Sequence, residues 1–194
     1  MFLDTSSLVA PDELNGDLLL MESRTSVRRI TCHLLEQGRT LPGFIGDISY
    51  AQSNRERYEG FCQALADAGK KVDSSLCLTT PLGIDTYREE IDTFLSSLSR
   101  MPDAFVCASD YVACILMQLL EKRGLRVPED VAVSGFDNNT EDLLAEHLTT
   151  VQVFNEELGA RLALQILYRI KYPNTPHEIT YLGTNVLYRD STGD

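Results

Sequence analysis

Apolar residues fall in short blocks along this chain, separated by longer stretches with helical spacing. Val27–Gln37 has that spacing and stops at Gly38. Gly43–Gly46 follows as a short strand. Ser53 and Glu56 have the S-x-x-E spacing of a capping box. The helix they open carries Tyr58, Phe61, Leu65 and Ala68 and stops at Gly69. Leu76–Thr79 is the next strand. Ile84–Leu98 is a helix with Tyr87, Ile91, Phe94, Leu95 and Leu98 on its apolar side, and Tyr87 and Phe94 are read there as core. Ala104–Cys107 is a strand. Ser109 and Asp110, residue types that accept bonds at a helix start, lead into a helix carrying Val112, Leu116, Leu119 and Leu120. Gly124 ends it, and Pro128 stands beyond. Val131–Val133 leaves through Gly135-Phe136-Asp137-Asn138-Asn139. Leu148–Val151 is a strand, and Glu156–Ile170 a helix with Leu158, Leu162, Ile166 and Ile170 toward the core. Ile179–Leu182 and Val186–Tyr188 are closing strands. Residues 6–24 are the least regular, with one apolar run, Leu18–Met21.

From about residue 42 strands and helices alternate, which predicts a doubly wound α/β fold with a largely parallel sheet. In such sheets ligands sit beyond the carboxyl ends of the strands. Polar residues collect there: Asp47, Ser49 and Tyr50, then Asn54 and Arg57 on the following helix, then Asp110 and Asp137. Carboxylates accept from adjacent hydroxyls and a guanidinium donates to two oxygens, so this set suits a polyhydroxyl ligand. Local roles compete with that one. Asp110 can cap its helix, Asp137 can form an Asx-turn, and Arg57 can be a solvated partner of Glu56 or Glu59. Glu129-Asp130 and Glu141-Asp142 read as solvated loop faces.

Composition narrows the chemistry. The chain has 194 residues, 43% hydrophobic, enough for one domain or two small lobes with a packed core. Its formal net charge of −12 repels phosphate backbones, so any DNA contact is expected from a segment absent here. The five cysteines form no CxxC pair and read as buried thiols of a reducing cytoplasm. His33, His147 and His177 are far apart, so neither a metal nor a cofactor is expected. Met1-Phe2-Leu3 meets Asp4 with no signal-peptide pattern, and nothing approaches the roughly 20 apolar residues of a membrane span. A soluble cytoplasmic protein with no membrane partner is expected. GxSxG, P-loop and GxGxxG motifs are all lacking, so the sequence gives no support for an enzyme.

Five motifs together carry a family resemblance. They are Arg57-Tyr58-Glu59-Gly60-Phe61; Pro102-Asp103-Ala104 with Ala108-Ser109-Asp110; Gly124-Leu125-Arg126-Val127-Pro128-Glu129-Asp130-Val131; Gly135-Phe136-Asp137-Asn138; and Leu148-Thr149-Thr150-Val151 with Glu157-Leu158-Gly159. Over about 42–190 the chain resembles the effector-binding core of the LacI/GalR family of transcription regulators. The resemblance implies a type I periplasmic-binding-protein-like fold. It divides the chain into a remnant of the N-terminal lobe (1–41), the C-terminal effector-binding lobe (42–150), a helix returning to the N-terminal lobe (151–176) and closing strands of the C-terminal lobe (177–194). It also implies an effector-sensing domain that forms a homodimer. Such a domain controls operator binding through a helix-turn-helix that this chain lacks. The effector is a small polar metabolite, a sugar or sugar derivative. The alternative is a sugar-binding protein of a transporter, against which the missing signal peptide and unpaired cysteines count.

By motif position, the resemblance has Arg57 and Asp137 hydrogen-bonding the effector. Asn54 lies one turn before Arg57, Ser109 stands where many members have Asn, and Asp110 follows. Phe2-Leu3-Asp4 weakly matches a strand at the lobe hinge, from which Asp4 reaches in. The chain has no tryptophan, and Pro81 falls near the usual place of a stacking aromatic, which argues against a pyranose platform.

Overall fold

The computed structural model describes residues 1–5, 9–83, 85–139 and 146–194. In chain order its strands are β1 (Phe2–Leu3), β2 (Leu18–Met21), β3 (Pro42–Ile45), β4 (Cys77–Leu78), β5 (Ala104–Cys107), β6 (Ala132–Ser134), β7 (Thr150–Gln152), β8 (Ile179–Leu182) and β9 (Asn185–Leu187). Its helices are α1 (Arg24–Glu36), α2 (Gln52–Asp67), α3 (Tyr87–Ser97), α4 (Asp110–Lys122) and α5 (Asn155–Lys171).

The larger sheet is parallel, in the order β4-β3-β5-β6. Bridges Ser134↔Thr149 and Asp137↔Gln152 continue it to β7, against which β9 runs antiparallel. β5 is a continuous apolar run because both faces of the sheet are covered. The pleat divides its side chains. Ala104 and Val106 join Val27, Ile30, Phe61 and Leu65 of α1 and α2, whereas Phe105 and Cys107 join Ile91, Leu95, Leu116 and Leu119 of α3 and α4. Burying a side chain such as Phe105 stabilises the fold by about 1.5–3 kcal/mol. Helix α1, which the sequence grouped with residues 1–41, thus packs on the larger sheet. Its contact with α2 is close: an ideal Cβ at Gly60 would lie 2.2 Å from the Arg24 carbonyl oxygen.

The smaller sheet is also parallel, in the order β1-β2-β8. β2 is its centre, with Leu18, Leu19 and Leu20 buried, although it comes from the least regular stretch of the sequence. β8, expected among the closing strands of the 42–150 lobe, pairs with β2 instead, and only β9 joins β7. Asp17, just before β2, holds α5 in place. Its carboxylate accepts from Gln165 Nε2 at 3.0 Å, from Glu178 N at 2.9 Å and from the Arg169 guanidinium. Burial raises the pKa of Asp17, but these donors outweigh it and bring the carboxyl down to about 2. Leu158 and Gln165 of α5 are buried, whereas Ile166 and Ile170, expected in the core, are 43% and 73% exposed. The reason is geometric: only the line of α5 through Leu158 and Gln165 is covered.

No helix among the described residues is long and apolar enough to cross a membrane. None of the five cysteines forms a disulfide, with Cys107 and Cys114 buried and the others half-buried. Burial pushes the thiols of Cys32, Cys62, Cys77 and Cys107 above their ordinary pKa, the opposite of a reactive thiolate. Glu141 and Asp142 lie outside the described residues.

Candidate functional site

The loops after β1, β3, β5 and β6 converge on the first turns of α2 and α4. Asp4 has φ 55°, and its carboxylate accepts from Thr5 N (2.7 Å), Ser53 N (3.3 Å) and the Ser53 hydroxyl. The α2 cap therefore comes from 49 residues upstream. The capping box expected from Ser53 and Glu56 does not form. Ala51 stands at the cap position, Ser53 spends its hydroxyl as a donor to Asp4, and Glu56 turns elsewhere. Buried Glu56 accepts from Tyr181 Oη of β8 at 2.9 Å and from Gln52 Nε2 at 3.3 Å. Burial raises its pKa against those two bonds.

After β3, Asp47 folds its own loop. One carboxylate oxygen accepts from Ser49 N (2.8 Å) and Ser49 Oγ (2.6 Å), the other from Leu82 N (3.3 Å). Asn54 donates from Nδ2 to the Asp47 carbonyl at 2.9 Å and accepts from Arg57 Nη1 at 3.4 Å.

Arg57 is the centre of the site. It is 5% exposed, and its guanidinium lies over the Phe136 ring, 3.7 Å from the centroid. Nη1 also donates to the Ala108 carbonyl, and Nη2 faces Asp137 Oδ1 at 3.6 Å. Nε is buried with no partner. The solvated pairing of Arg57 with Glu56 or Glu59 does not occur, because Glu59 pairs with Arg24 and Glu56 with Tyr181. Burial lowers the pKa of Arg57, opposed by the charges of Asp137, Asp4, Asp110 and Glu56.

After β5, Ser109 caps α4, accepting from Val112 N at 3.3 Å as the sequence suggested. Asp110 is 2% exposed and neither caps the helix nor faces open space. It accepts from Thr150 Oγ1 of β7 at 2.6 Å and from Asn139 N at 2.8 Å. It is thus a staple between α4, β7 and the loop after β6. Gly135 makes room for it, since an ideal Cβ there would lie 2.2 Å from Asp110 Oδ1. Burial raises the Asp110 pKa to about 6 against these two bonds.

The loop after β6 carries two residues in the left-handed region, Asp137 (φ 115°) and Asn138 (φ 52°). Such conformations persist where surrounding bonds over-determine them. Here Asp137 N donates to the Val151 carbonyl at 3.1 Å, Asn138 N to Thr150 Oγ1 at 3.2 Å, and Asn138 Nδ2 to Gln152 Oε1 at 2.6 Å. Arg189 Nη2 donates to Asn138 Oδ1 at 2.8 Å. The Asp137 carboxylate makes no Asx-turn. It is half-buried beside Arg57, and burial raises its pKa despite that cation.

The six residues singled out from the sequence therefore fall into two groups. Arg57 and Asp137 meet and keep unspent hydrogen-bonding capacity. Asp4, Asn54, Ser109 and Asp110 surround them with bonds made to protein. Sequence reasoning missed Phe136, Thr150 and Ser53 as site residues. Phe136 lay within a quoted motif, but the partner of Thr150 is 40 residues distant. Tyr87 and Phe94 sit edge-on against Tyr111 and Phe105. Among the described residues no cluster of His, Cys, Asp and Glu could hold a metal.

A family model described as a periplasmic binding protein-like domain matches residues 31–192. The HTH-type transcriptional regulator DegA of Bacillus subtilis (strain 168) is 35% identical over 130 residues, covering 66% of this chain and 38% of DegA. A LacI-family structure from Sanguibacter keddieii superimposes with TM-score 0.83 at 25% identity, over 99% of this chain and 72% of that one. A structure of the transcriptional regulator CelR in complex with cellobiose gives TM-score 0.82 at 28% identity, over 92% of this chain and 55% of that one. Several other curated relatives are spanned over about half their length.

Proposed function

This chain belongs to the periplasmic binding protein-like domain family, in its LacI-type branch, and we propose that it is the effector-sensing part of a DNA-binding transcriptional regulator. The effector is a small polar metabolite, a sugar or sugar derivative. It binds where Arg57 and Asp137 meet, with Asp4, Asn54, Ser109 and Asp110 shaping the site. Operator DNA is contacted by a helix-turn-helix outside this sequence, the regulator works as a homodimer in the cytoplasm, and this domain catalyses nothing. A transporter's sugar-binding protein is the less favoured reading, since relatives named by role are transcriptional regulators.

One observation carries the proposal. A buried guanidinium stacked on Phe136 stands beside a carboxylate with open oxygens, at the carboxyl ends of parallel strands. The cellobiose complex of CelR supports the sugar class.

The test is a thermal-shift screen with cellobiose and common mono- and disaccharides. A ligand that binds only the folded state raises stability by RT ln(1 + [L]/Kd). The expected result is stabilisation by at least one sugar, lost in Asp137→Ala, with the variant still folded. Undiminished stabilisation in Asp137→Ala refutes the site.

A further inference from the structure

Two devices commonly bind anions in proteins: an open Arg fork and a free helix N-terminus. Both occur around this site, and protein groups either engage or bury them. The N-terminus of α2 is closed by the Asp4 carboxylate, which takes Ser53 N and the Ser53 hydroxyl. The N-terminus of α4 has Ser109 on Val112 N and the Asp110 carboxylate in its first turn. Arg57 Nη1 is divided between the Ala108 carbonyl and Asn54 Oδ1, Nη2 faces Asp137, the guanidinium plane lies against Phe136, and Nε, which has no partner, is buried away from the surface. Arg189, the other cation near the loop after β6, donates to the Leu148 carbonyl and to Asn138 Oδ1.

What stays open is an acceptor. The Asp137 carboxylate makes no hydrogen bond among the described residues, only its ion pair with Arg57, and the side chain is 43% exposed. A carboxylate without a proton only accepts, so the ligand must bring donors. The groups whose charge acts on Arg57 are all carboxylates: Asp137, Asp4, Asp110 and Glu56. The chain's net charge of −12 adds long-range repulsion of anions.

We propose that this site takes an uncharged or ammonium-bearing polyhydroxyl molecule and excludes phosphorylated and carboxylated ones. The proposal rests on the effector-site reading above and narrows it. Hydroxyl or ammonium donors satisfy Asp137, whereas a phosphate placed there meets a carboxylate and finds no exposed guanidinium edge or open helix N-terminus.

The test uses matched ligands at pH 7.5 and low salt, by titration calorimetry: ribose with ribose 5-phosphate, and glucose with glucosamine and glucose 6-phosphate. Inorganic phosphate serves as the bare anion. The expected result is that the sugar or amino sugar binds roughly tenfold or more tightly than its phosphate ester, with no binding of inorganic phosphate. In Asp137→Asn all sugars weaken, but the gap between sugar and phosphate ester narrows. A phosphate ester that binds more tightly than its parent, and loses that binding in Asp137→Asn or Arg57→Lys, overturns the exclusion while leaving the effector site standing. Failure of every member to bind, with the protein folded, overturns the effector-site reading and this inference with it.

Discussion

Asp110→Asn probes the cost of burying a charge under the loop after β6. Asp110 is 2% exposed, and its pKa stands at about 6 against an ordinary value of 3.8. The folded state therefore holds the proton more tightly than the unfolded chain. The stability linked to that proton is fully present below pH 3.8 and is lost as pH rises through 6. About two pKa units correspond to about 3 kcal/mol. Asparagine never ionises and escapes this loss. It cannot, however, accept through both of its terminal atoms, so one of the bonds from Thr150 and Asn139 goes, at a cost of about 1 kcal/mol. The variant is expected to be less stable than the parent by about 1 kcal/mol at pH 3. At pH 7.5 it is expected to be more stable by about 2 kcal/mol, with the order reversing near pH 4.5. Urea unfolding of both proteins at several pH values measures the difference, from which the titration of all other groups cancels. A difference that stays flat would refute the reasoning. So would a variant that falls further behind as pH rises, which would mean that the Thr150 and Asn139 donors outweigh burial.

Two more perturbations test the scaffold. Gly135→Ala places a methyl 2.2 Å from Asp110 Oδ1, and should cost about 1–3 kcal/mol and speed hydrogen exchange at the Asn139 amide. Unchanged exchange would show that Asp110 does not hold the loop. Asp17→Ala leaves Arg169 and Gln165 without their acceptor, and should destabilise the fold by about 3 kcal/mol at pH 7. Because the Asp17 pKa is lowered, its stabilisation is present above pH 3.8 and lost as pH falls toward 2. The gap between variant and parent, followed by circular dichroism, should close over that range. A gap that widens on acidification would contradict this.

The elements read most accurately from sequence are those whose signals are local. Ser109 and Gly124 bracket α4 because a side-chain cap and a positive-φ stop act within one turn of the helix. β2 carries no such signal. Four apolar residues in a polar stretch become a strand only because Phe2 and Ile179 pair with Leu18 from opposite sides, 16 and 161 positions away. The apolar spacing of α5 was visible, but its burial was not. Spacing says which residues share a face, and only the tertiary fold decides how much of that face is covered.

The same division runs through the site. Sequence could place four aspartates beyond strand ends, because chain order fixes that. It could not rank them, because a carboxylate's role depends on which donors the fold brings to it. Asp4 is filled by Thr5 and Ser53, Asp47 by Ser49 and Leu82, and Asp110 by Thr150 and Asn139. Among the described residues, Asp137 alone of these four faces only a cation, at 3.6 Å, and keeps its lone pairs for something else. Arg57 follows the same logic from the other side. Two positions along a helix turn the side chain through about 200°, so Glu59 points away to Arg24 while Arg57 points inward to Phe136. A count of acidic residues therefore overstates the number of ligand contacts. The donors already spent on three aspartates are what leave the fourth as the one open acceptor, and they are also why a second negative charge finds no place beside it.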